Sequence, residues 1–392
     1  MEESSNSNTK PELPPRSLPG EASNLAAAVA GTDHSGGGSE FHSLPSNAYA
    51  AAATPSYYDA YEDSVYFGEY GKMKIHCDML KDEARMISYH GAIMRDKEVF
   101  KDRVVLDVGC GSGILSCFCA KAGARKVYSV EASDMWHKAE LVVLRNGLED
   151  VVQVINGKME EVQLPEKVDI IVSEWMGSFL VFEGMLESVL FARDRWLKEG
   201  GRLYPDIAKL YLVPVDMSTA FHKRTSFLKD VCGIDMSPLA PFIVKEYTKF
   251  VVRGKKVKAS TMLAESALIK TFDLESMRID ELAKITGKFS FRTNKSPGGT
   301  FHGFALWFEV IFSGRSESKE EEDIILSTSP EKVITHWRHD AVLWPKGIAV
   351  REGEEIAGLV RLCQNAYYVR HYDVHLSFSI AGEHDVYRVF SS

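Results

Sequence analysis

Between residues 103 and 174 the chain reads "RVVLDV", "ILSCFCAKAG", "KVYSVE", "DMWHKAELVVLRNG", "VVQVIN" and "VDIIVSE": strand, helix, strand, helix, strand, strand. Nearly continuous Val/Ile runs alternating with helical segments predict a parallel sheet covered on both faces. No other feature restricts the fold as much, because ligands of such sheets bind outside the carboxyl ends of the strands. Two features of the sequence fall on that edge. One is the turn "GCGSG" after the first strand, and the other is Glu174, at the end of the fourth.

The turn places Gly109, Gly111 and Gly113 between strand and helix. Glycines there let backbone N–H groups approach a ligand at a helix N-terminus. The spacing is G-x-G-x-G. A dinucleotide fingerprint wants its third glycine one position further on, where Ile114 stands. Asp107 precedes the turn and disfavours a pyrophosphate, and Glu131 closes the next strand in position to accept ribose hydroxyls. Asp107, the three glycines and Glu131 together fit S-adenosyl-L-methionine better than NAD. A tight turn that binds nothing is the plain alternative.

After the fourth strand comes "SEWMGSFLVFEGML", residues 173–186. Glu174 and Glu183 sit among Trp175, Met176, Phe179, Leu180, Val181 and Phe182, and an unpaired buried carboxylate costs several kcal/mol or more. Two carboxylates suit a guanidinium, whose planar fork stays protonated and takes paired charge-assisted hydrogen bonds. Such a clamp also draws positive charge away from the nitrogen that is to attack an electrophilic carbon. Pairing with an internal cation such as Arg193 or Arg195 is the competing explanation.

At 392 residues the chain accommodates two domains. Residues 1–60, rich in Ser, Ala, Gly and Pro, lack a period that would bury a face and are expected to form a disordered tail. Order is expected from about 61, with Met79, Leu80, Met86, Ile87 and Ile93 at helical spacing, and the sheet domain is expected to end at 205. After "GGRLYPD" the texture becomes successive strands, "KFSFRT", "FALWFEVIF", "DIILSTS", "EEIAGLVRLC" and "HYDVHLSFSI", which predict a β-domain over 206–392. An amphipathic helical patch lies at 216–238, with Phe221, Phe227, Leu228 and Val231 as its apolar face.

The net charge of −9 makes tight binding to a nucleic-acid backbone unexpected and suits a cationic ligand. The six cysteines have no metal or disulfide spacing, so no metal is expected. No apolar run approaches the roughly 20 residues of a membrane span, and the start has no signal-peptide pattern, so an intracellular protein is expected.

The glycine turn, "SEWMG…E", "YFGEY" (66–70) and "ITHW" (334–337) together resemble the protein arginine N-methyltransferases, from about residue 65 to the C-terminus. Within the family the chain most resembles the type I enzymes, and "FALWFEVIF…LSTSP…THW" is similar to the sixth mammalian member and its plant relatives. The resemblance implies a Rossmann-like SAM-binding domain, a β-barrel and a helical dimerisation arm, in a homodimer. It implies that Tyr66, Phe67 and Tyr70 fold over the cofactor, with His76, Met79 and Asp82 on the next helix and Arg85 gripping the cofactor's carboxylate. Glu131 would bind ribose, and Met159 and Glu160 the adenine. Glu174 and Glu183 would hold the substrate arginine, with Tyr70, Trp337 and Met185 lining its site. His336 would pair with Asp82, and a His–Asp pair can take up the released proton. Met79 and Met185 would direct asymmetric dimethylation. Arg-Gly-rich proteins and histones are the implied substrates, in nucleus and cytoplasm. The family usually has Tyr and Ser where Ser178 and Gly184 stand, which removes an aromatic wall and loosens the loop holding Glu183. The competing readings are a Rossmann oxidoreductase and a scaffold that has lost turnover.

Overall fold

The computed structural model describes residues 57–294, 298–314, 322–380 and 383–390. Most of the expected tail lies outside these residues. Its last four open a helix, α1 (Tyr57–Tyr70), followed by α2 (Met73–Lys81), α3 (Glu83–Arg95) and α4 (Lys97–Phe100). The helical run expected across 79–93 breaks at Asp82, which takes an extended conformation and caps α3 by accepting the Arg85 N–H at 3.1 Å. A carboxylate in this position satisfies an otherwise unpaired N–H of the first helical turn. Met79 and Ile93 turn inward, while Leu80 and Ile87 face solvent.

The parallel sheet follows, with β1 (Val104–Val108), α5 (Ile114–Lys121), β2 (Lys126–Glu131), α6 (Trp136–Arg145), β3 (Val152–Asn156), β4 (Val168–Val172), α7 (Met185–Trp196) and β5 (Leu197–Tyr204). Strand order is β3-β2-β1-β4-β5, all pairs parallel. All five residues of β1 are buried, which explains its unbroken apolar reading. The chain reverses direction in the order between β1 and β4, where such sheets open a crevice for ligands. "GGRLY", read as a change of texture, is the second half of β5 and completes this sheet.

The remainder is antiparallel. It comprises β6 (Ile207–Val215), α8 (Ser218–Thr225), α9 (Ala240–Tyr247), β7 (Val252–Lys255), β8 (Ala267–Asp273), β9 (Lys284–Arg292), β10 (Gly299–Phe312), β11 (Ile324–Ser327), β12 (His339–Val350), β13 (Glu355–Gln364), β14 (Tyr372–Ile380) and β15 (Glu383–Phe390). One sheet runs β7-β12-β10-β6-β8 with β11 added at β10, and the other runs β15-β14-β13-β9. Phe289, Phe301, Phe304, Trp344, Phe378 and Phe390 meet between them as a network of edge-on and tilted rings. The fold is thus a Rossmann-like domain followed by a barrel-like β-domain.

The helical patch expected at 216–238 is α8, two short 3-10 turns and α9, so it reaches Tyr247. Its expected apolar face divides. Phe221 and Leu228 are buried, whereas Phe227 and Val231 are exposed together with Ile234, Met236, Leu239 and Phe242.

Candidate active site

The residues singled out in the sequence converge on the carboxyl edge of the parallel sheet. Gly109 and Cys110 both donate their N–H to Val130 O, at 2.9 and 3.0 Å, which folds the glycine turn over β2. Gly111 has φ +53, and a Cβ there would lie 3.0 Å from the His76 ring, so only glycine permits that approach. His76 is held by the Tyr70 carbonyl at 2.7 Å. Gly109 is covered by Met185: an added Cβ would fall 2.3 Å from its methyl.

Glu131 binds this turn with one oxygen, accepting the N–H of Gly111 at 2.8 Å, while its other oxygen accepts the N–H of Ser133 at 2.7 Å. A carboxylate offers about four acceptor positions, so capacity remains for ligand hydroxyls. Asp107, by contrast, is wholly buried, accepts the Ser116 hydroxyl at 2.6 Å, and leaves Oδ1 without a partner. Burial pushes its carboxyl up to about 7 against the pull of Ser116. Met159 is buried, and Glu160 is exposed and accepts the Ser188 hydroxyl at 2.6 Å.

The two glutamates take different partners. Glu174 accepts Arg85 Nε at 3.0 Å, and both side chains are largely buried. The alternative cations are engaged elsewhere, Arg193 with Leu274 O and Arg195 with Gln163. Glu183 accepts the Tyr70 hydroxyl at 2.6 Å. Burial and the Glu174 charge push its carboxyl up to about 7, although Tyr70, Arg253 and Arg370 pull it down. Burial and the same glutamate raise Tyr70 well above an ordinary phenol, so it stays a neutral donor. The cation the sequence seemed to require is therefore Arg85 for Glu174, while Glu183 has a neutral partner.

The loop between them is strained. Phe179, Leu180 and Glu183 have φ of 37°, 76° and 85°, and non-glycine residues in that region cost on the order of 1–3 kcal/mol each. Gly184, at φ +68, opens α7 in the left-handed conformation that glycine adopts without strain. The loosening expected there is countered by Arg370, whose carbonyl accepts the Glu183 N–H at 2.8 Å and whose Nη1 donates to the Glu183 carbonyl at 2.9 Å.

Arg370 escaped the sequence reading, yet it ties the Glu183 loop to α1. Besides Glu183 it binds Asp63 on α1 through Nε and Nη2, and its guanidinium lies 4.2 Å from the Tyr66 ring centre. Although burial raises the Asp63 carboxyl, Lys158 and Arg370 bring it below its ordinary value. Arg253, 4.4 Å over the Phe182 ring, is a second cation of this rim. The signal for Arg370 was faint, a basic residue in the aromatic turn "NAYYVRHYD".

Opposite lies the segment 335–337. His336 Nδ1 is 2.7 Å from Asp82 Oδ2, which also accepts the His336 backbone N–H at 2.8 Å. Burial raises Asp82, but these bonds outweigh it and hold the carboxyl below its ordinary value. An ionised Asp82 assigns the proton to Nδ1 and leaves Nε2 as the exchanging nitrogen. Trp337 donates Nε1–H to Met176 O at 2.7 Å. The site therefore joins a glycine turn with an acid, an Arg–Glu pair, a second raised carboxyl and a His–Asp pair.

Residues 206–383 match the family model of the arginine methyltransferase oligomerization subdomain, and 93–190 that of the ribosomal protein L11 methyltransferase (PrmA). Protein arginine N-methyltransferase 2 of Homo sapiens is 39% identical over 328 residues, covering 83% of this chain and 75% of the human one. A probable protein arginine N-methyltransferase 6.1 of Oryza sativa subsp. japonica is 37% identical over 354 residues, 85% of this chain and 90% of the rice one. Among solved structures, a Trypanosoma brucei PRMT1 enzyme-prozyme heterotetrameric complex with AdoHcy matches with TM-score 0.73 at 35% identity, over 82% of this chain and 99% of that one. Arabidopsis thaliana protein arginine methyltransferase 10 matches with TM-score 0.72 at 32% identity, over 83% and 99%.

Proposed function

The chain belongs to the protein arginine N-methyltransferase family, and on that premise we propose that it methylates guanidino nitrogens of protein arginine from S-adenosyl-L-methionine, giving monomethyl and then asymmetric dimethylarginine. The observation that carries this reading is the unequal pair of glutamates at the sheet's carboxyl edge. Glu174 is already neutralised by Arg85, whereas Glu183 faces a phenol. Entry of a guanidinium supplies the cation that Glu183 lacks and shifts its carboxyl toward the ionised form. Charge-assisted bonds to both carboxylates then fix the planar fork and localise its positive charge on the nitrogens they hold. The remaining nitrogen keeps a lone pair for attack.

The donor set suits the methyl donor. Glu131 retains acceptor capacity beside glycines that admit close approach, and Arg85, bonded to Glu174 through Nε and to Met79 O through Nη1, has further N–H donors for a carboxylate. When bound, that cofactor supplies an electrophilic methyl carbon. Tyr66, Phe67 and Tyr70 on α1 would cover it, with Arg370 and Lys158 pinning the helix through Asp63. His336, oriented by Asp82, is the group placed to receive the guanidinium proton.

The exposed apolar residues Phe227, Ile234, Leu239 and Phe242 support pairing with a second copy of this chain through the arm. Arg-Gly-rich proteins and histones are the proposed acceptors. The deciding assay combines the full chain, tritiated S-adenosylmethionine and an Arg-Gly-rich peptide, followed by amino-acid analysis of the hydrolysed product. Label in methylarginines is expected, and its absence refutes the assignment.

A further inference from the structure

The strained loop between the two glutamates is held from β12 by a side chain that neither the motifs nor the chemistry above has used. Asp340 lies on that strand, three residues past Trp337, and is 4% exposed. Its Oδ2 accepts the Phe179 N–H at 2.5 Å, and its Oδ1 accepts the Gly254 N–H at 3.2 Å. Aspartate is disfavoured in strands and a buried carboxylate is costly without partners, so its residence here depends on those two amides. The same stretch of chain therefore grips the loop twice, Trp337 donating to Met176 O and Asp340 accepting from Phe179 N–H.

Phe179 is where the loop first enters left-handed backbone. From there the bonds run in series toward Glu183: Val181 N–H to Phe179 O at 3.1 Å, then Gly184 N–H to Val181 O at 3.3 Å. Releasing the Phe179 amide frees the start of that series, and left-handed residues persist only where their surroundings over-determine them.

The geometry points to Asp340 as a positioning residue of the acceptor site, holding the loop in the form that sets Glu183 opposite Glu174. This role rests on the arginine-methylating reading, which gives Glu183 its task. The ionised carboxylate is the competent form, since only it accepts both amides. Burial pushes the Asp340 carboxyl up to about 6 against the pull of Phe179, Gly254 and Arg253, so the ionised form prevails above that pH.

The test is Asp340→Asn in the full chain, which keeps the volume but sets an NH2 group against one of the two N–H groups. Turnover on an Arg-Gly-rich peptide should fall about tenfold or more, because small displacements of a positioning group are costly. Calorimetric affinity for S-adenosylhomocysteine should stay within about threefold of wild type, since the glycine turn is untouched. Amide exchange across 177–184 should speed up about tenfold or more, with the parallel sheet unchanged. Should the Asn variant fail to fold, Asp340→Thr, which suits a strand and keeps one acceptor, should show the same pattern in smaller degree. A folded variant with turnover within about twofold of wild type, or with unchanged exchange at 177–184, overturns the assignment. If the wild type methylates no arginine, the functional reading fails instead, and the exchange measurement still reports whether Asp340 holds the loop.

Discussion

Glu183→Gln should make the protein more stable and catalytically crippled at once. The substitution keeps the volume and leaves an oxygen to accept the Tyr70 hydroxyl, now 2.6 Å away. It deletes only the charge, which burial and Glu174 oppose by holding the carboxyl up to about 7 against the ordinary 4.5. At about 1.4 kcal/mol per tenfold change in proton affinity, ionising Glu183 in the fold costs at most about 3.5 kcal/mol. Residual solvent contact reduces this to roughly 1–3 kcal/mol. Because the folded value is raised, the native state holds the proton more tightly than the unfolded chain, and stability falls as pH rises from about 4.5 to about 7. The Gln variant lacks this loss, so its advantage should be full at pH 8 and under half that at about pH 5.5. Urea unfolding at both pH values measures the difference, and peptide methylation measures turnover, which should drop about a hundredfold or more. A variant that is less stable than wild type at pH 8, or equally stabilised at both pH values, contradicts the idea of an uncompensated charge. Turnover near wild type would show that Glu183 does not hold the acceptor.

Other outcomes follow from the same geometry. Glu131→Ala should weaken S-adenosylmethionine by about 1–3 kcal/mol in calorimetry, through lost hydroxyl contacts and a freed Gly111 amide; unchanged affinity, or tight NAD binding, would remove the cofactor assignment. Phe227→Asp with Phe242→Asp, both on the exposed arm, should give monomers in sedimentation, and an unaltered dimer would exclude the arm as the interface. Product analysis by mass spectrometry should find asymmetric dimethylarginine with monomethylarginine as its precursor, because flexible thioethers such as Met79 and Met185 yield to an added methyl. Mainly symmetric product would reject the type I reading while leaving arginine methylation standing.

What could be read from the sequence was local. Strand β1 is buried on both faces and so shows as an unbroken Val/Leu run, and the G-x-G-x-G turn shows because its backbone demands glycine at Gly111. Strands β5, β6, β7, β8, β12 and β15 were passed over, and β12 carries Pro345 and Gly347 within it, residues that ordinarily argue against a strand. Side-chain partnership was the harder question. The sequence marked Glu174 and Glu183 as carboxylates needing a cation but did not show that Arg85, 89 residues earlier, already serves Glu174. Nor did it show that Arg370, 187 residues beyond Glu183, grips that residue's backbone. Asp107 illustrates the converse: it stands in the motif, yet the fold buries it completely, with Ser116 as its hydrogen-bond donor. A motif therefore records which residue types the site requires, while the fold decides which face the ligand. That is why the remaining freedom lies at Glu183. Its carboxyl is bonded to a phenol, where that of Glu174 has a buried cation, and it sits on a loop whose backbone is strained and held by distant residues. Such a loop is worth its strain only if a guanidinium completes the charge balance, so substrate binding and loop order should rise together. Slowed amide exchange at 177–184 on adding an arginine peptide, and no change with the matching citrulline peptide, would show that coupling; equal protection by both would refute it.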